Sequence, residues 1–213
     1  MGRQVDYYFS LASPWAYLGH AEFMALAAAQ DARVAFRPVF LRDLFDQTGG
    51  LPLPRRHPVR QRYRLVELQR WRAARGLPLV LAPKHVPFDP APPDRVAVVL
   101  ADDAAACDAY VRAAFAAAFV EERDLADPAT LAACVAAAGR DPEATLARAR
   151  SAEIGEAYAR NERAALAADV FGSPSYVLDG EVFWGQDRLA LLADALASGR
   201  APYRPDGSGS RSA

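Results

Sequence analysis

The architecture of this chain follows from one stretch near its beginning, Val5-Asp6-Tyr7-Tyr8-Phe9-Ser10-Leu11-Ala12-Ser13-Pro14-Trp15-Ala16-Tyr17-Leu18. The β-branched and aromatic residues up to Phe9 predict a strand. Ser13 and Pro14 predict the start of a helix, because serine is a preferred N-cap and proline is favoured at the first helical position. A hydroxyl between the end of a strand and the positive end of a helix suits an anion or a thiolate. The same serine can also be an N-cap and nothing more.

Further strands are predicted on both sides of a long middle section. Arg33 to Phe40 predicts a second strand, and the helix between the two strands makes a βαβ unit with parallel pairing. Ser175 to Leu178 and Val182 to Trp184 predict two more strands. Asp179-Gly180 between them is a strong hairpin signal. A closing helix is predicted from Arg188 to Ala197.

The middle section is almost entirely helical in pattern. A Gly/Pro-rich loop from Thr48 to Pro58 is too long for an ordinary connection. A helical pattern follows from Arg60 to Arg75 and ends at Gly76, as a helix end should. Helical patterns then continue from Arg95 to Ala168. We therefore expect an α/β protein, in which a thioredoxin-like βαβ…ββα fold is interrupted by a large all-helical insertion.

The domain boundaries follow from this order of elements. Residues 1–46 and 169–199 are expected to form the thioredoxin-like domain, and residues 47–168 the helical insertion domain. Residues 200–213 are polar, broken by prolines and rich in Gly and Ser near the end. That composition predicts a flexible tail.

Composition and charge narrow the class of protein. The chain has 213 residues, of which 52% are hydrophobic and 24% charged, with a net charge of −1. These values are ordinary for a soluble globular protein and give no general attraction to nucleic acid or membrane. No signal peptide or apolar span of membrane length is visible, so we expect a cytoplasmic protein. Cys107 and Cys134 lie far apart in Ala-rich helical stretches and are expected to be buried, inert thiols. The three histidines are scattered and predict no metal site.

Four motifs occur in order along the chain. They are Ser13-Pro14-Trp15-Ala16-Tyr17-Leu18, the set Tyr63, Glu67, Arg70, Trp71, Gly76 and Pro78, the segment Val170-Phe171-Gly172-Ser173-Pro174-Ser175, and Asp179-Gly180-Glu181-Val182-Phe183-Trp184-Gly185-Gln186-Asp187-Arg188-Leu189. Together they resemble the motifs of the 2-hydroxychromene-2-carboxylate isomerases and the kappa-class glutathione transferases, within the DsbA-like thioredoxin superfamily. The resemblance covers about residues 5 to 198. One short motif would be weak, but several in the right order are specific.

The resemblance implies a glutathione site. Ser13 matches the serine that contacts the sulfur of bound glutathione, where redox relatives keep a cysteine, so dithiol exchange is excluded. Ser173 and Pro174 match an X-Pro site with a cis proline, at which the backbone of Ser173 would pair with the cysteinyl unit. Gln186 and Asp187 match the pair that binds the γ-glutamyl end. Asp187 could alternatively be a plain N-cap of the last helix.

Three positions depart from the family pattern. Gly50 stands where an asparagine is common, Arg60 stands near a family lysine, and Ser10 replaces an aspartate after the first strand. Arg60 could still pair with the glycyl carboxylate of glutathione. These departures leave the substrate and the affinity for glutathione open, more than the fold.

The activity implied by the resemblance is cis-trans isomerisation by reversible addition of the glutathione thiolate to a conjugated intermediate of aromatic catabolism. A cationic group would hold the substrate carboxylate, and Arg56, Arg60 and Lys84 are candidates. His57 and His85 could move protons or be solvated loop residues.

Two alternatives share this thiol site. One is a kappa-type glutathione transferase or peroxidase, and the other is a thioredoxin-fold protein that binds a thiol without chemistry. The resemblance also implies a homodimer that takes glutathione and a small aromatic carboxylate as ligands.

Overall fold

The computed structural model describes residues 2–206. The strands are β1 (Gln4–Phe9), β2 (Arg33–Pro38), β3 (Ser175–Leu178) and β4 (Glu181–Trp184). The helices are α1 (Pro14–Ala29), α2 (Leu41–Thr48), α3 (Pro58–Ala74), α4 (Ala91–Leu100), α5 (Ala104–Phe119), α6 (Pro128–Ala137), α7 (Pro142–Ala149), α8 (Ala152–Ala167) and α9 (Leu189–Ser198). Short 3-10 turns occur at Leu53–Arg55 and Gln186–Arg188.

The four strands form one mixed sheet in the order β2-β1-β3-β4. β1 pairs parallel to β2 and antiparallel to β3, and β3 pairs antiparallel to β4. The predicted βαβ unit and the predicted hairpin at Asp179-Gly180 are thereby confirmed. The chain has the expected α/β thioredoxin-like fold with a substantial helical insertion between β2 and β3.

An aromatic core joins the central strands to the first helix. Tyr7 on β1 stacks on Tyr176 of β3 with ring centroids 5.4 Å apart, and Phe23 of α1 lies 4.5 Å from Tyr176. All three rings are fully buried. Aromatic rings bury much apolar area with little loss of side-chain freedom, so this cluster fixes α1 on the sheet. The start of α1 is therefore held at the carboxyl end of β1.

The insertion packs on the same core rather than standing apart from it. α5 lies on α1, and α4 lies on β2. Tyr110, Phe115 and Phe119 of α5 are buried, as predicted. Cys107 and Cys134 are also buried and free, and burial raises the pKa of both thiols. Neither thiol is therefore poised for redox chemistry.

Some local boundaries differ from the predictions. β2 ends at Pro38 instead of Phe40, and α2 runs across the predicted domain boundary between residues 46 and 47. Residues 200–206 of the predicted flexible tail lie on the hairpin, because Arg200 pairs with Glu181 at 2.7 Å and the Tyr203 amide donates to the same carboxylate. The rest of that tail lies outside the described residues.

Within residues 2–206, no helix combines the length and the apolar character that a membrane span requires.

Candidate active site

A cavity of about 390 Å³ opens between the start of α1, the loop before β3 and the inner face of α3. Its polar end is formed by Ser13, Ser173, Gln186 and Asp187. Its side walls are largely aromatic, and they include Trp15, Phe45, Trp71 and Trp184. Four of the six residues that the sequence predicted for the site therefore meet at one cavity.

Ser13 is both the cap of α1 and part of the cavity wall. Its Oγ accepts a hydrogen bond from the Ala16 amide at 3.2 Å, which confirms the predicted N-cap. The same hydroxyl donates to the main-chain carbonyl of Ser173 at 3.2 Å. Ser13 is 4% exposed. A hydroxyl has one proton, so a thiolate in the cavity would compete with the Ser173 carbonyl for it.

The turn before Ser13 is held from two sides. On the sheet side, the Ser10 amide donates to Ser173 Oγ at 3.1 Å. On the insertion side, Asp94 accepts from the Leu11 amide at 2.8 Å and from Ser10 Oγ at 3.0 Å. Tyr158 of α8 donates to the same carboxylate at 2.9 Å. The turn that carries Ser13 is thus fixed by residues from three separate parts of the chain.

Asp94 is a functional candidate that the sequence analysis missed. It is 0% exposed, and burial raises its carboxyl pKa to about 7 despite the hydrogen bonds that it accepts from Leu11, Tyr158 and Ser10. In sequence it is an ordinary acidic residue in the first turn of α4 after two prolines. Such a residue is typical of a helix start, so nothing local distinguishes it.

The Ser173-Pro174 peptide bond is cis, as predicted. Ser173 lines the cavity, whereas Pro174 is buried behind it. The Gly185 amide donates to the Pro174 carbonyl at 2.9 Å, which ties this loop to the end of β4. The two segments predicted to bind a thiol ligand are therefore neighbours in space.

Gln186 and Asp187 lie in the 3-10 turn ahead of α9. Gln186 is 2% exposed, and its Oε1 accepts from Arg75, so the Nε2 amide is the group that it can offer to a ligand. Asp187 is exposed and pairs with Arg188 at 2.6 Å. The N-cap of α9 is Arg188, not Asp187, which argues against the simple capping interpretation. Gly185 has a φ of 104°, and a Cβ there would lie 2.4 Å from Asp187 Oδ1, so the carboxylate rests directly on this glycine.

The cationic side of the cavity is formed by Arg56 and Arg64. Burial and a neighbouring arginine charge lower the pKa of both guanidinium groups; the neighbour of Arg56 is Arg60, and that of Arg64 is Arg56. Within the described part of the chain, neither group forms an ion pair with a carboxylate. The Glu67 carboxylate also lines the cavity but pairs with Arg70 at 2.5 Å, so Arg56 and Arg64 stay available to an anionic ligand.

The other predicted cations and the loop histidines lie elsewhere. Arg60 is exposed and does not line the cavity, although it is four residues before Arg64 on the same helix. Lys84 is exposed, and His57 caps α3 by accepting from the Val59 amide at 3.3 Å. His85 lies 3.8 Å from a carboxylate oxygen of Asp124, outside the cavity.

Gly50 lies directly against the Phe45 ring. A Cβ at this position would lie 2.5 Å from Cδ1 of the Phe45 ring. Phe45 lines the cavity. The asparagine that the resemblance leads us to expect at position 50 would therefore require Phe45 to move, and the cavity wall here is apolar.

The described residues contain no group of three or more His, Cys, Asp or Glu side chains that could hold a metal ion.

Comparisons with known proteins show what the whole chain is similar to. Residues 4–197 match a family described as a DSBA-like thioredoxin domain. The chain is 26% identical over 197 residues to a 2-hydroxychromene-2-carboxylate isomerase of Sphingobium xenophagum, covering 92% of this chain and 99% of that protein. It is 29% identical over 194 residues to one from Pseudomonas putida, covering 90% and 93%. A solved structure of a 2-hydroxychromene-2-carboxylate isomerase aligns with a TM-score of 0.79 and 28% identity over 92% of this chain and 95% of that one.

Proposed function

This chain belongs to the DSBA-like thioredoxin domain family, and we propose that it is a glutathione-dependent cis-trans isomerase of the 2-hydroxychromene-2-carboxylate isomerase type. The observation that carries the proposal is the Ser13 hydroxyl at the start of α1, 3.2 Å from the Ser173 carbonyl and facing a cavity with two unneutralised arginines. A hydroxyl in this place cannot form a disulfide. It can hold the thiolate of a separate thiol.

Ser13 and the start of α1 would stabilise the thiolate of glutathione. A free thiol has a pKa of about 8.5. A hydroxyl donor and the positive end of a helix both favour the charged form, so they lower that pKa. The thiolate is the nucleophilic form, and a lower pKa makes more of it at neutral pH.

The remainder of glutathione would lie along the polar end of the cavity. The Asp187 carboxylate can receive the γ-glutamyl ammonium group in place of Arg188, its present partner at 2.6 Å. Gln186 Nε2 can donate to the adjacent α-carboxylate. The backbone of Ser173 can pair with the cysteinyl unit as an added strand does. Each of these groups lies on the segment that the resemblance assigned to it.

Arg56 and Arg64 would hold the carboxylate of the substrate, while the aromatic walls would take its ring. The thiolate adds to a conjugated carbon, and the electron pair of the former double bond moves to the carbonyl oxygen of the enone. The carbon–carbon bond is then single and can rotate. Return of the electron pair expels the thiolate and leaves the trans alkene, so glutathione is regenerated without net oxidation.

The test is turnover of 2-hydroxychromene-2-carboxylate by the wild-type protein and by Ser13→Ala, with and without glutathione. We expect activity only with glutathione, and a loss of about 10²-fold in Ser13→Ala, as for removal of one catalytic hydrogen-bond donor. Ser13→Thr keeps a hydroxyl and should retain more activity. Removal of the cap alone costs about 1 kcal/mol of stability, which a melting curve measures separately. Glutathione-independent turnover, or full activity in Ser13→Ala, would contradict the proposal.

A kappa-type transferase would use the same thiolate with another electrophile. The mainly apolar wall that Phe45 forms beside Gly50 favours a flat aromatic acceptor as much as a carboxylate substrate. Conjugation of glutathione to a chloronitrobenzene, measured beside isomerisation, distinguishes the two activities. Glutathione binding without either reaction would indicate a thiol-binding protein.

A further inference from the structure

Arg75, at the end of α3, holds the segment that carries Gln186 by two hydrogen bonds. Its Nε donates to Gln186 Oε1 at 2.8 Å, and its Nη2 donates to the Gln186 main-chain carbonyl at 2.9 Å. The two residues are 111 positions apart in sequence. The Arg75 side chain is 10% exposed and does not line the cavity. It therefore acts on the site through its neighbours, by hydrogen bonds to Gln186 and by contact with the Trp71 ring of the cavity wall.

The guanidinium of Arg75 is itself held in one direction. Its third nitrogen, Nη1, contacts the Glu22 carboxylate on α1. Its plane lies over the Trp71 ring, with Cζ 5.2 Å from the ring centroid. A planar guanidinium with fixed neighbours presents its two remaining nitrogens, Nε and Nη2, as a rigid fork. The fork can thus set where Gln186 lies.

Gln186 is in turn pressed against the first helix. A Cβ at Gly19 of α1 would lie 2.7 Å from Gln186 Cβ, so the segment rests directly on the backbone of α1. Asp187 follows at the next position. Because Ser13 caps α1, a contact that fixes Gln186 against α1 also restricts how far the Asp187 carboxylate can lie from the Ser13 hydroxyl. In the proposed binding mode, these two groups hold the ammonium end and the sulfur of a γ-glutamyl thiol.

We propose that Arg75 is a positioning residue that gives this site its preference for thiols with a γ-glutamyl group over thiols without one. The inference rests on the proposed glutathione-dependent function. The groups around the sulfur, Ser13 and Ser173, make no hydrogen bond to Arg75. Movement of Gln186 and Asp187 should therefore weaken the binding of the γ-glutamyl end alone.

The test compares dissociation constants of S-hexylglutathione and S-hexylcysteinylglycine, whose hexyl groups add the same apolar contact to both ligands. Arg75→Lys keeps the charge but cannot make two parallel hydrogen bonds. We expect it to weaken S-hexylglutathione about tenfold and S-hexylcysteinylglycine less than twofold. Arg72→Lys is the matched control, because Arg72 is on the same helix and donates to the Leu79 carbonyl at 3.0 Å instead. It should change neither constant.

Equal weakening of both ligands, or unchanged S-hexylglutathione binding in Arg75→Lys, overturns the inference and leaves the proposed function standing. A wild-type protein that binds neither glutathione nor its S-hexyl derivative at millimolar concentration overturns both. Melting curves report whether Arg75→Lys is folded. If Arg75→Lys is not folded, Glu22→Gln is the second variant, because it weakens the contact of Arg75 Nη1 and leaves Gln186 unchanged. We expect it to weaken S-hexylglutathione binding about threefold and to leave S-hexylcysteinylglycine binding unchanged. Unchanged S-hexylglutathione binding in Glu22→Gln would count against the inference.

Discussion

Ser13 and Ser173 are joined side chain to main chain, since the Ser13 hydroxyl donates to the Ser173 carbonyl over 3.2 Å. The Ser173 hydroxyl also accepts from the Ser10 amide at 3.1 Å. Ser173 is therefore the residue through which the loop before β3 holds the turn that leads into Ser13. Ser173 accepts from Ser13 with its main-chain carbonyl and from Ser10 with its side chain, so a mutation of the side chain removes only the second hydrogen bond.

Ser173→Ala should lower the free energy of unfolding by about 1–3 kcal/mol, because the Ser10 amide is left buried without an acceptor. Ser175→Ala is the control. Ser175 Oγ donates to the Gly172 carbonyl at 2.8 Å, and a carbonyl that loses one donor is better tolerated than an orphaned N–H. Denaturant unfolding measures both variants. A smaller loss in Ser173→Ala than in Ser175→Ala would argue against this account of the turn.

Asp94 should make stability depend on pH between about 4 and 7. Its pKa is raised to about 7 by burial, compared with about 3.9 in an unfolded chain. The folded protein therefore binds more protons than the unfolded one in this range, and stability falls as pH rises to about 7 and levels off above it. The full difference is on the order of 4 kcal/mol.

The asparagine side chain introduced by Asp94→Asn cannot titrate. Between pH 4 and pH 8, the free energy of unfolding of the wild-type protein should therefore fall relative to that of Asp94→Asn. Asp102→Asn, at an exposed position of the same insertion, should run parallel to wild type. The measurement is denaturant unfolding at several pH values. Parallel curves for wild type and Asp94→Asn would show that this carboxyl does not have a raised pKa.

Arg64 and Arg60 should differ in their effect on substrate binding. Arg64→Gln removes a half-buried cation from the cavity, and we expect KM for a carboxylate substrate to rise about tenfold, since a charge-assisted hydrogen bond contributes roughly 1.5–3 kcal/mol. Arg60→Gln makes the same change of net charge at an exposed position outside the cavity and should leave KM within twofold. Equal effects would mean that the arginines act only through the general field of α3.

The outer face of α3 is a candidate for the dimer contact that the family resemblance implies. Val59, Tyr63 and Val66 are exposed at helical spacing on α3, and none of the three lines the cavity. We propose a homodimer through this face. Light scattering should give twice the mass of one chain, and Tyr63→Asp should give the monomer mass.

A second exposed apolar residue provides the control for this dimer. Leu191 of α9 is exposed, and Leu191→Asp should leave the mass unchanged. A wild-type protein that is monomeric at all concentrations, or a Tyr63→Asp protein that still dimerises, would contradict the assignment of the face.

The sequence by itself determined the elements and the local chemistry of the polar end of the site. The strand up to Phe9, the cap at Ser13 and the turn at Asp179-Gly180 are specified by residues within about four positions of each other, whereas the cis peptide before Pro174 was implied by the family resemblance. Capping, hairpin formation and strand preference depend on such neighbours. These features could therefore be predicted from the sequence before any tertiary contact was known.

Only the tertiary structure decided which distant side chains complete the site. Asp94 reaches Leu11 from 83 positions away, and Arg75 reaches Gln186 from 111. Arg64 lines the cavity while Arg60, one turn earlier, does not. The rotation of α3 and the docking of α4 set these contacts. They depend on how the buried faces of the insertion pack on α1 and β2, and no short-range pattern encodes the outcome of that packing.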